Sequence, residues 1–316
     1  MLTRRSFNKT IFAGTMGAVA SNNLFGAQAN DRLQIGFIGV GTMGRGHLGA
    51  FLNMKEVQVV AVCDVVEERL QMAHKMVANK YTGPNSQTEF KDCKVFKDFR
   101  KLLEDKSIDA VVISTPDHWH AIPSIMAARQ KKHVYCEKPL THSIHEGRVL
   151  TSEVAKSGIV FQTGSQQRSE FGGKFRLAVQ LIRAGRIGKI KTVRIGVGGP
   201  AIACNLETQD IPAGTDWDLW QGPAPMRGYN EALCPKGVHT HFPAWRSYWE
   251  YAGGGLADMG AHHFDIAQWA LNMDSSGPVK ITPPSNGEKT GLKFTYANGV
   301  EMFHGGPSGC TFEGSD

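Results

Sequence analysis

The chain has 316 residues, 41% of them hydrophobic and 20% charged, which is enough for two domains around a sizeable core. The 35 Lys and Arg exceed the 29 Asp and Glu to leave a net charge of +6, but they are scattered, and no basic block interleaves with aromatics; this excludes a nucleic-acid-binding face. Six cysteines, at 63, 93, 136, 204, 234 and 310, form no C-x-x-C and no zinc spacing; Cys63 and Cys136 read as small apolar strand residues, and Cys204 and Cys234 are left open to pairing in an oxidising compartment.

The N-terminus is set apart. Thr3-Arg4-Arg5-Ser6-Phe7-Asn8-Lys9 precedes a modest apolar run over 11–20, and Ala27-Gln28-Ala29 supplies small residues at −3 and −1. A positive start, a short apolar stretch and an A-x-A site make an export signal rather than a membrane span. The paired arginines followed by Phe7 and Lys9 resemble the twin-arginine type, which carries folded proteins. The expectation is a periplasmic protein with residues 1–29 removed. No later run reaches the length of a membrane span.

From Asp31 the pattern alternates strand and helix. Leu33 to Ile38 reads as a buried parallel strand, and it runs into Gly39-x-Gly41-x-x-Gly44, with Thr42 and Met43 between the glycines. Such a turn lets backbone N–H groups approach a pyrophosphate at a helix N-terminus. The context completes the motif: a helix over 42–54, then a second apolar strand over 57–63 ending in Asp64, whose carboxylate suits both ribose hydroxyls of NAD and repels a 2′-phosphate. An amphipathic helix over 67–80, a loop over 81–89, a helix over 98–103 and a strand over 110–113 follow. Then come Ser114-Thr115-Pro116-Asp117-His118-Trp119-His120, a helix over 122–130, a strand over 133–136, Glu137-Lys138-Pro139, a helix over 141–157 opening on a Ser143/Glu146 capping box, and a strand over 159–162. Ligands of open α/β sheets sit outside the carboxyl ends of the strands. By that rule Gly39 to Gly44, Asp64, Ser114 to His120, and Glu137 to Pro139 converge on one edge.

Past residue 160 the texture changes. A helix over 175–184 closes at Gly185, a strand spans 192–197, and strands over 292–296 and 300–303 flank an Asn298-Gly299 hairpin turn. The Pro-, Gly- and Trp-rich stretch 199–245 reads as a long ordered excursion over the site. The fold class is therefore α/β: a Rossmann domain, a doubly wound parallel sheet over 30–158, followed by a mostly antiparallel α+β domain over 159–316.

Two constellations carry chemistry. Lys138, between a buried strand and a proline, is held rigidly at the sheet edge. In the run from Gly253 to Leu271, helical spacing puts Asp258, His262, Asp265 and Trp269 on one face and Phe264, Ala267 and Leu271 on the opposite one, with His263 about 100° from His262. No Lys or Arg falls between Arg246 and Lys280, which is unusual for a solvated helix and favours a buried polar stripe at a site. A metal is the rival explanation for Asp258, His262, His263 and Asp265, or for His118 and His120; the spacing matches neither H-E-x-x-H nor an EF-hand, so no metal is expected.

Together, the glycine turn, Ser114-Thr115-Pro116, Glu137-Lys138-Pro139 and Gly253-Gly254-Gly255 leading to Asp258-x-x-x-His262 resemble the Gfo/Idh/MocA family of sugar-type oxidoreductases. The resemblance implies a large open sheet in the second domain that builds the substrate pocket and a homo-oligomer interface. It implies that Lys138 lies near the nicotinamide and the substrate hydroxyl, and that Asp258 and His262 form an acid–histidine pair with His262 as general base. Cofactor contacts expected on this basis are Gly39, Gly41, Thr42, Met43, Gly44, Asp64, Ser114, Thr115, Pro116, His120, Glu137 and Lys138. Gln166, Gln167, Arg168, His263 and Trp245 are expected to touch a carbohydrate substrate; Trp217 and Trp220 stand between sugar stacking and core packing. Chains of this family with such signals continue past a segment like Phe312-Glu313-Gly314, so a fragment or a shortened second domain is expected here. Export removes the protein from a free NAD pool, which favours a tightly held NAD. The leading expectation is a sugar oxidoreductase, followed by a redox-neutral glycoside hydrolase or lyase, and then by a non-catalytic binding relative.

Overall fold

A computed structural model describes residues 32–82 and 92–316. The export-signal reading of 1–29 and most of the expected loop at 81–89 lie outside the described residues. Tyr81 and Thr82 extend the preceding helix instead.

Six parallel strands form the first sheet: β1 (Leu33–Ile38), β2 (Val57–Cys63), β3 (Lys94–Phe96), β4 (Ala110–Ile113), β5 (His133–Glu137) and β6 (Phe161–Gly164). Their order is β3-β2-β1-β4-β5-β6, which reverses direction between β1 and β4 and so opens a crevice at the strand ends there. Because helices cover both faces, β4 is buried at every position, and so are the last four residues of β1, the pattern that apolar continuity in the sequence requires. The covering helices are α1 (Thr42–Phe51), α2 (Glu67–Thr82), α3 (Phe99–Glu104), α4 (Ala121–Arg129) and α5 (Ile144–Ser157). Leu70, Ala73 and Val77 of α2 pack on one face of the sheet with Phe37 and Val59. Leu102 and Leu103 of α3 pack on the other with Ile38 and Ile113. The expected capping box opens α5: the Glu146 N–H donates to Ser143 Oγ at 3.2 Å, and the Ser143 N–H donates to Glu146 Oε2 at 2.9 Å.

The boundary between the units moves. β6 pairs in parallel with β5, Val134 opposite Phe161 through Glu137 opposite Gly164, so the first sheet runs past the expected division at residue 158. Of the residues that follow β6, the edge strand, Gln166 reaches the same crevice.

The second unit contains α6 (Lys174–Arg183), β7 (Thr192–Gly196), α7 (Trp217–Gln221), α8 (Gly254–Asp258), α9 (Gly260–Ala270), β8 (Lys280–Thr282), β9 (Lys293–Thr295) and β10 (Glu301–Glu313). Its sheet runs β7-β10-β9-β8, with β8, β9 and the start of β10 antiparallel. The hairpin closes as its Asn-Gly turn demands: the Tyr296 N–H donates to the Val300 carbonyl, and Gly299 has φ +85°. β10 then doubles back. Residues 301–304 run parallel to 192–195 of β7, and residues 310–313 pair with the same residues in reverse order, the turn falling at Gly305-Gly306-Pro307. Phe264, Ala267 and Leu271 of the α9 segment pack onto this sheet with Val193, Ile195 and Met302, which is the apolar face the sequence spacing assigned.

Candidate functional site

The glycine turn fits a pyrophosphate on steric grounds. Gly39 has φ +81°, and a Cβ there would lie 2.8 Å from the Thr115 amide nitrogen; a Cβ on Gly44 would collide with the Gly39 carbonyl oxygen. Gly41 differs from both, since a Cβ there would meet nothing within 4 Å. That open space lies on a cavity of about 360 Å³, into which Gly39, Gly41, Thr42, Met43, Asp64, Ser114, Thr115 and Pro116 also face. The hydroxyls of Ser114 and Thr115 are buried without a partner. Buried orphan hydroxyls beside a glycine-lined space are the signature of a missing polar ligand. NAD therefore fits the residues present, and the turn and α1 would hold its phosphates.

Asp64, 8% exposed, uses its carboxylate first to brace that turn: Oδ2 accepts from the Val40 N–H at 2.8 Å and Oδ1 from the Val66 N–H at 2.9 Å. Each oxygen keeps a second lone pair, so the acid can still meet a ribose hydroxyl. His120 is another matter. Its Nδ1 lies 2.6 Å from the Pro139 carbonyl and its Nε2 2.9 Å from the Thr115 carbonyl. With both nitrogens placed against backbone carbonyls, His120 ties the loops after β4 and β5 together, and it lines the cavity beside Thr115 and Pro116. Glu137 is similarly engaged, accepting from Gln166 Nε2 at 2.6 Å and lying 2.6 Å from His47 Nε2.

Lys138 and the α8–α9 segment meet across the cavity. The Lys138 ammonium donates to the Asp258 carboxylate and, at 3.1 Å, to the Asp258 carbonyl. The other carboxylate oxygen of Asp258 lies 3.8 Å from Arg246 Nε. Asp258 thus holds two cations; no hydrogen bond joins it to His262 among the described residues, and it acts on the imidazole through its charge. His262 is oriented by backbone instead: its Nδ1 lies 3.2 Å from the Ser165 carbonyl. A carbonyl accepts only, so Nδ1 carries the hydrogen and Nε2 keeps its lone pair. Burial, and then the neighbouring Lys138 charge, hold the imidazole below its usual pKa. The site therefore contains a neutral imidazole next to an anchored ammonium.

Three of the expected substrate contacts lie elsewhere. Arg168 makes a two-pronged bond to Asp265, 2.7 Å to each oxygen, and reaches Asp274 at 2.8 Å, with its guanidinium over Trp269. It clamps the loop after β6 to α9, so the polar stripe divides: Asp258 and His262 face the cavity, while Asp265 and Trp269 face this clamp. His263 and Gln167 do not line the cavity; their Nδ1 and Oε1 atoms are buried without partners. Gln166 and Trp245 do line it. Trp220 is also on the wall, stacked at 4.8 Å on Trp217, which lies behind it in the core.

The excursion at 199–245 does cover the site. Leu219, Trp220, Leu233, Pro235, His239 and Phe242 form a roof over the cavity. Its end is strapped to the first unit. Arg45 donates to the His239 carbonyl, buried Arg69 donates to the carbonyls of Gly237 (3.0 Å) and Pro235, and Thr42 Oγ1 donates to the His241 carbonyl at 3.1 Å. Sequence reasoning missed Arg246, Asp117 and this strap. Arg246, whose guanidinium stacks 4.1 Å over Trp245, lies in a 3-10 turn, where helical spacing gives no signal. All six cysteines are free thiols; Cys204 and Cys234 are both buried in the aromatic core behind the roof.

A sequence-family model described as an oxidoreductase family, NAD-binding Rossmann fold (GFO_IDH_MocA) matches residues 33–165, and its companion, an oxidoreductase family C-terminal alpha/beta domain, matches 201–307. Among curated relatives, the myo-inositol 2-dehydrogenase of Thermotoga maritima is 30% identical over 170 residues, 54% of this chain and 46% of that protein. The inositol 2-dehydrogenase of Salmonella typhimurium is 32% identical over 159 residues, 50% and 43% of the two chains. A glycosyl hydrolase family 109 protein of Shewanella pealeana is 30% identical over 169 residues, 51% and 34%. The match thus spans less than half the length of each of these relatives. Among solved structures, the WlbA dehydrogenase of Bordetella pertussis, in complex with NADH and UDP-GlcNAcA, superposes with a TM-score of 0.61 at 20% identity, covering 90% of this chain and 77% of that one. Myo-inositol 2-dehydrogenase of Lactobacillus plantarum gives 0.60 at 20% identity, with 90% and 75% coverage. At that identity the likeness is one of fold.

Proposed function

Since this chain belongs to the Gfo/Idh/MocA family of NAD-binding oxidoreductases, we propose that it oxidises a carbinol of a sugar or cyclic polyol, with Lys138 and His262 handling the proton. The observation that carries this reading is the approach of Lys138, from the first unit, to the α8–α9 segment of the second, on one cavity with the glycine turn. When bound, NAD supplies the hydride acceptor at nicotinamide C4. The chain's own groups do the rest. The Lys138 ammonium, anchored by Asp258, binds the carbinol oxygen and stabilises the negative charge that grows on it. His262 Nε2, unprotonated because Nδ1 carries the ring hydrogen, takes the hydroxyl proton. Arg246, on the other side of Asp258, shares that carboxylate's charge with the ammonium. Trp220, Trp245 and Phe242 wall the site from water and offer faces on which a sugar ring can stack.

A second reading, redox-neutral glycoside hydrolysis or elimination, is favoured by the strap. Arg45, Arg69 and Thr42 bind residues 235–241, part of the roof over the cavity that the glycine turn lines, which suits a coenzyme held in place rather than exchanged at each turnover. A retained NAD suits a reaction that returns its hydride: oxidation acidifies the neighbouring C–H, the glycosidic bond is eliminated, water adds, and the ketone is reduced again. The export signal read at 1–29 supports the same reading, because no free NAD pool exists outside the cytoplasm. We also propose a homo-oligomer, supported by exposed Val279 and Ile281 beside and within the edge strand β8.

Purified protein incubated with a panel of inositols and glycosides, followed at once for sugar release and for reduced-cofactor fluorescence, tests both. Ketone accumulation matched by reduced cofactor supports the oxidoreductase; release without net reduction supports the hydrolase. Neither signal, from protein that binds NAD, overturns both.

A further inference from the structure

At the Lys138 end of the cavity the charges leave one carboxyl over. The cations acting on Asp117 are Lys138 and Arg246, and the other carboxyls are Asp258 and Glu137; Arg69, Lys97 and Asp64 also line the cavity but do not figure among them. Asp258 has both cations, and Glu137 has His47 and Gln166. Asp117 has neither kind of partner: among the described residues no donor is hydrogen-bonded to its carboxyl. It sits in the 3-10 turn after Pro116, is 5% exposed, and lines the cavity. A carboxylate in so enclosed a position, opening on the cavity with no protein donor, is costly to keep ionised, and the usual escape is to keep the proton. A neutral carboxyl is also a donor.

We propose that Asp117 is a substrate-touching acid of this site: it carries its proton at neutral pH and donates a hydrogen bond to a substrate oxygen beside the one held by Lys138. The groups facing it from the surrounding elements are Asp258 on α8, Lys138 and Glu137 at the end of β5, and Arg246 in the 3-10 turn after Pro243. Burial, and then the Asp258 charge, push its pKa up to about 8 against the opposing pull of Lys138 and Arg246. Its role differs from that of His262. The histidine accepts a proton from the carbinol, whereas Asp117 keeps its own and contributes a donor that is lost as it ionises. Above its pKa three carboxylates face two cations, and a substrate oxygen then meets a lone pair instead of a hydrogen. The substrate class follows: a vicinal diol or hydroxy-ketone, with one oxygen for Lys138 and His262 and a second that accepts from Asp117. This deepens the sugar reading and rests on it for the identity of the substrate.

The proton itself can be tested without any substrate. Carboxyl-carbon NMR of NAD-loaded enzyme labelled at aspartate, with Asp117→Asn to assign the resonance, should show one aspartate titrating near pH 8 that the variant lacks. A midpoint in the ordinary range near about 4 overturns the proposal. Kinetics test the contact. With whichever diol or glycoside the panel identifies, Asp117→Ala should raise KM about tenfold, the worth of one well-made hydrogen bond at 1.4 kcal/mol. Asp117→Asn, which restores a donor that cannot ionise, should recover most of that loss and lack the alkaline decline seen in the wild type. An Asn variant that keeps the alkaline decline overturns the donor role. A panel without turnover, together with a titration near pH 8 that is unmoved by 0.1 M myo-inositol, counts against the substrate contact; a panel without turnover but with that midpoint raised sinks the redox reading alone.

Discussion

His262 Nδ1 lies 3.2 Å from the carbonyl oxygen of Ser165, and that contact, not one to Asp258, sets which ring nitrogen faces the cavity. The carbonyl belongs to the loop that follows β6, so the sixth strand of the nucleotide-binding sheet orients a histidine of the second unit. Removing the base should therefore spare binding. His262→Gln is expected to lower kcat about 10²- to 10⁴-fold with little change in KM, as for loss of a general base. Stopped-flow measurement of bound-cofactor reduction checks it.

The same histidine predicts the acid limb. Burial and Lys138 lower its pKa, so the ring stays neutral through pH 7 and protonates only below its ordinary value of about 6.5. Activity should fall as pH drops through that lowered value, and a Lys138→Met variant should shift the limb upward by removing the positive neighbour. Single-turnover rates against pH decide it; an unmoved limb would show that Lys138 does not act on His262.

Lys138→Ala should cost activity about 10²-fold or more, and Lys138→Arg should not restore it. A guanidinium fork cannot place one compact charge between a carboxylate and a carbinol oxygen. Full activity in the Arg variant would remove Lys138 from the chemistry.

Gly41 and Gly44 should fail differently. A methyl on Gly44 meets the Gly39 carbonyl and should disturb the fold itself; a methyl on Gly41 meets no protein atom and enters the space left for the phosphates. Gly41→Ala is therefore expected to fold with an unchanged melting temperature and to weaken NAD binding at least tenfold, whereas Gly44→Ala loses stability first. Calorimetry and NAD titration separate the two.

Arg168→Ala should lower stability by about 1–2 kcal/mol, since its charge-assisted bonds are partly exposed and screened. Since Arg168, Asp265 and Asp274 are not among the residues lining the cavity, kcat should change less than about twofold. A large loss of activity without loss of stability would return Arg168 to the substrate.

Asp117 adds a stability signature. Its folded pKa, about 8, exceeds its unfolded value, so the native state holds a proton that the unfolded chain releases. Its effect is absent below about pH 4 and destabilises progressively as pH rises from there to about 8. Urea unfolding should show Asp117→Asn gaining on the wild type across that window and holding a constant margin above it.

How much of this was legible in the chain depends on the range of the forces involved. The parallel strands, the glycine turn and the capping box of α5 are written in local pattern, because buried strands need unbroken apolar runs and caps need particular side chains within three or four residues. Lys138, Asp258 and His262 could be named because each stands at a strand end or on one helical repeat. Their partners could not. Whether Asp258 meets His262 or Lys138, whether Arg168 faces a sugar or Asp265, and which carboxyl is left without a cation are settled by how two units pack. That packing brings residues 120 positions apart, such as Lys138 and Asp258, to hydrogen-bonding distance. The sequence by itself determined a nucleotide-binding sheet and the residue types at its edge. Only the tertiary structure decided the pairing of charges there, because electrostatic partners and desolvation follow from three-dimensional proximity, which no periodicity records.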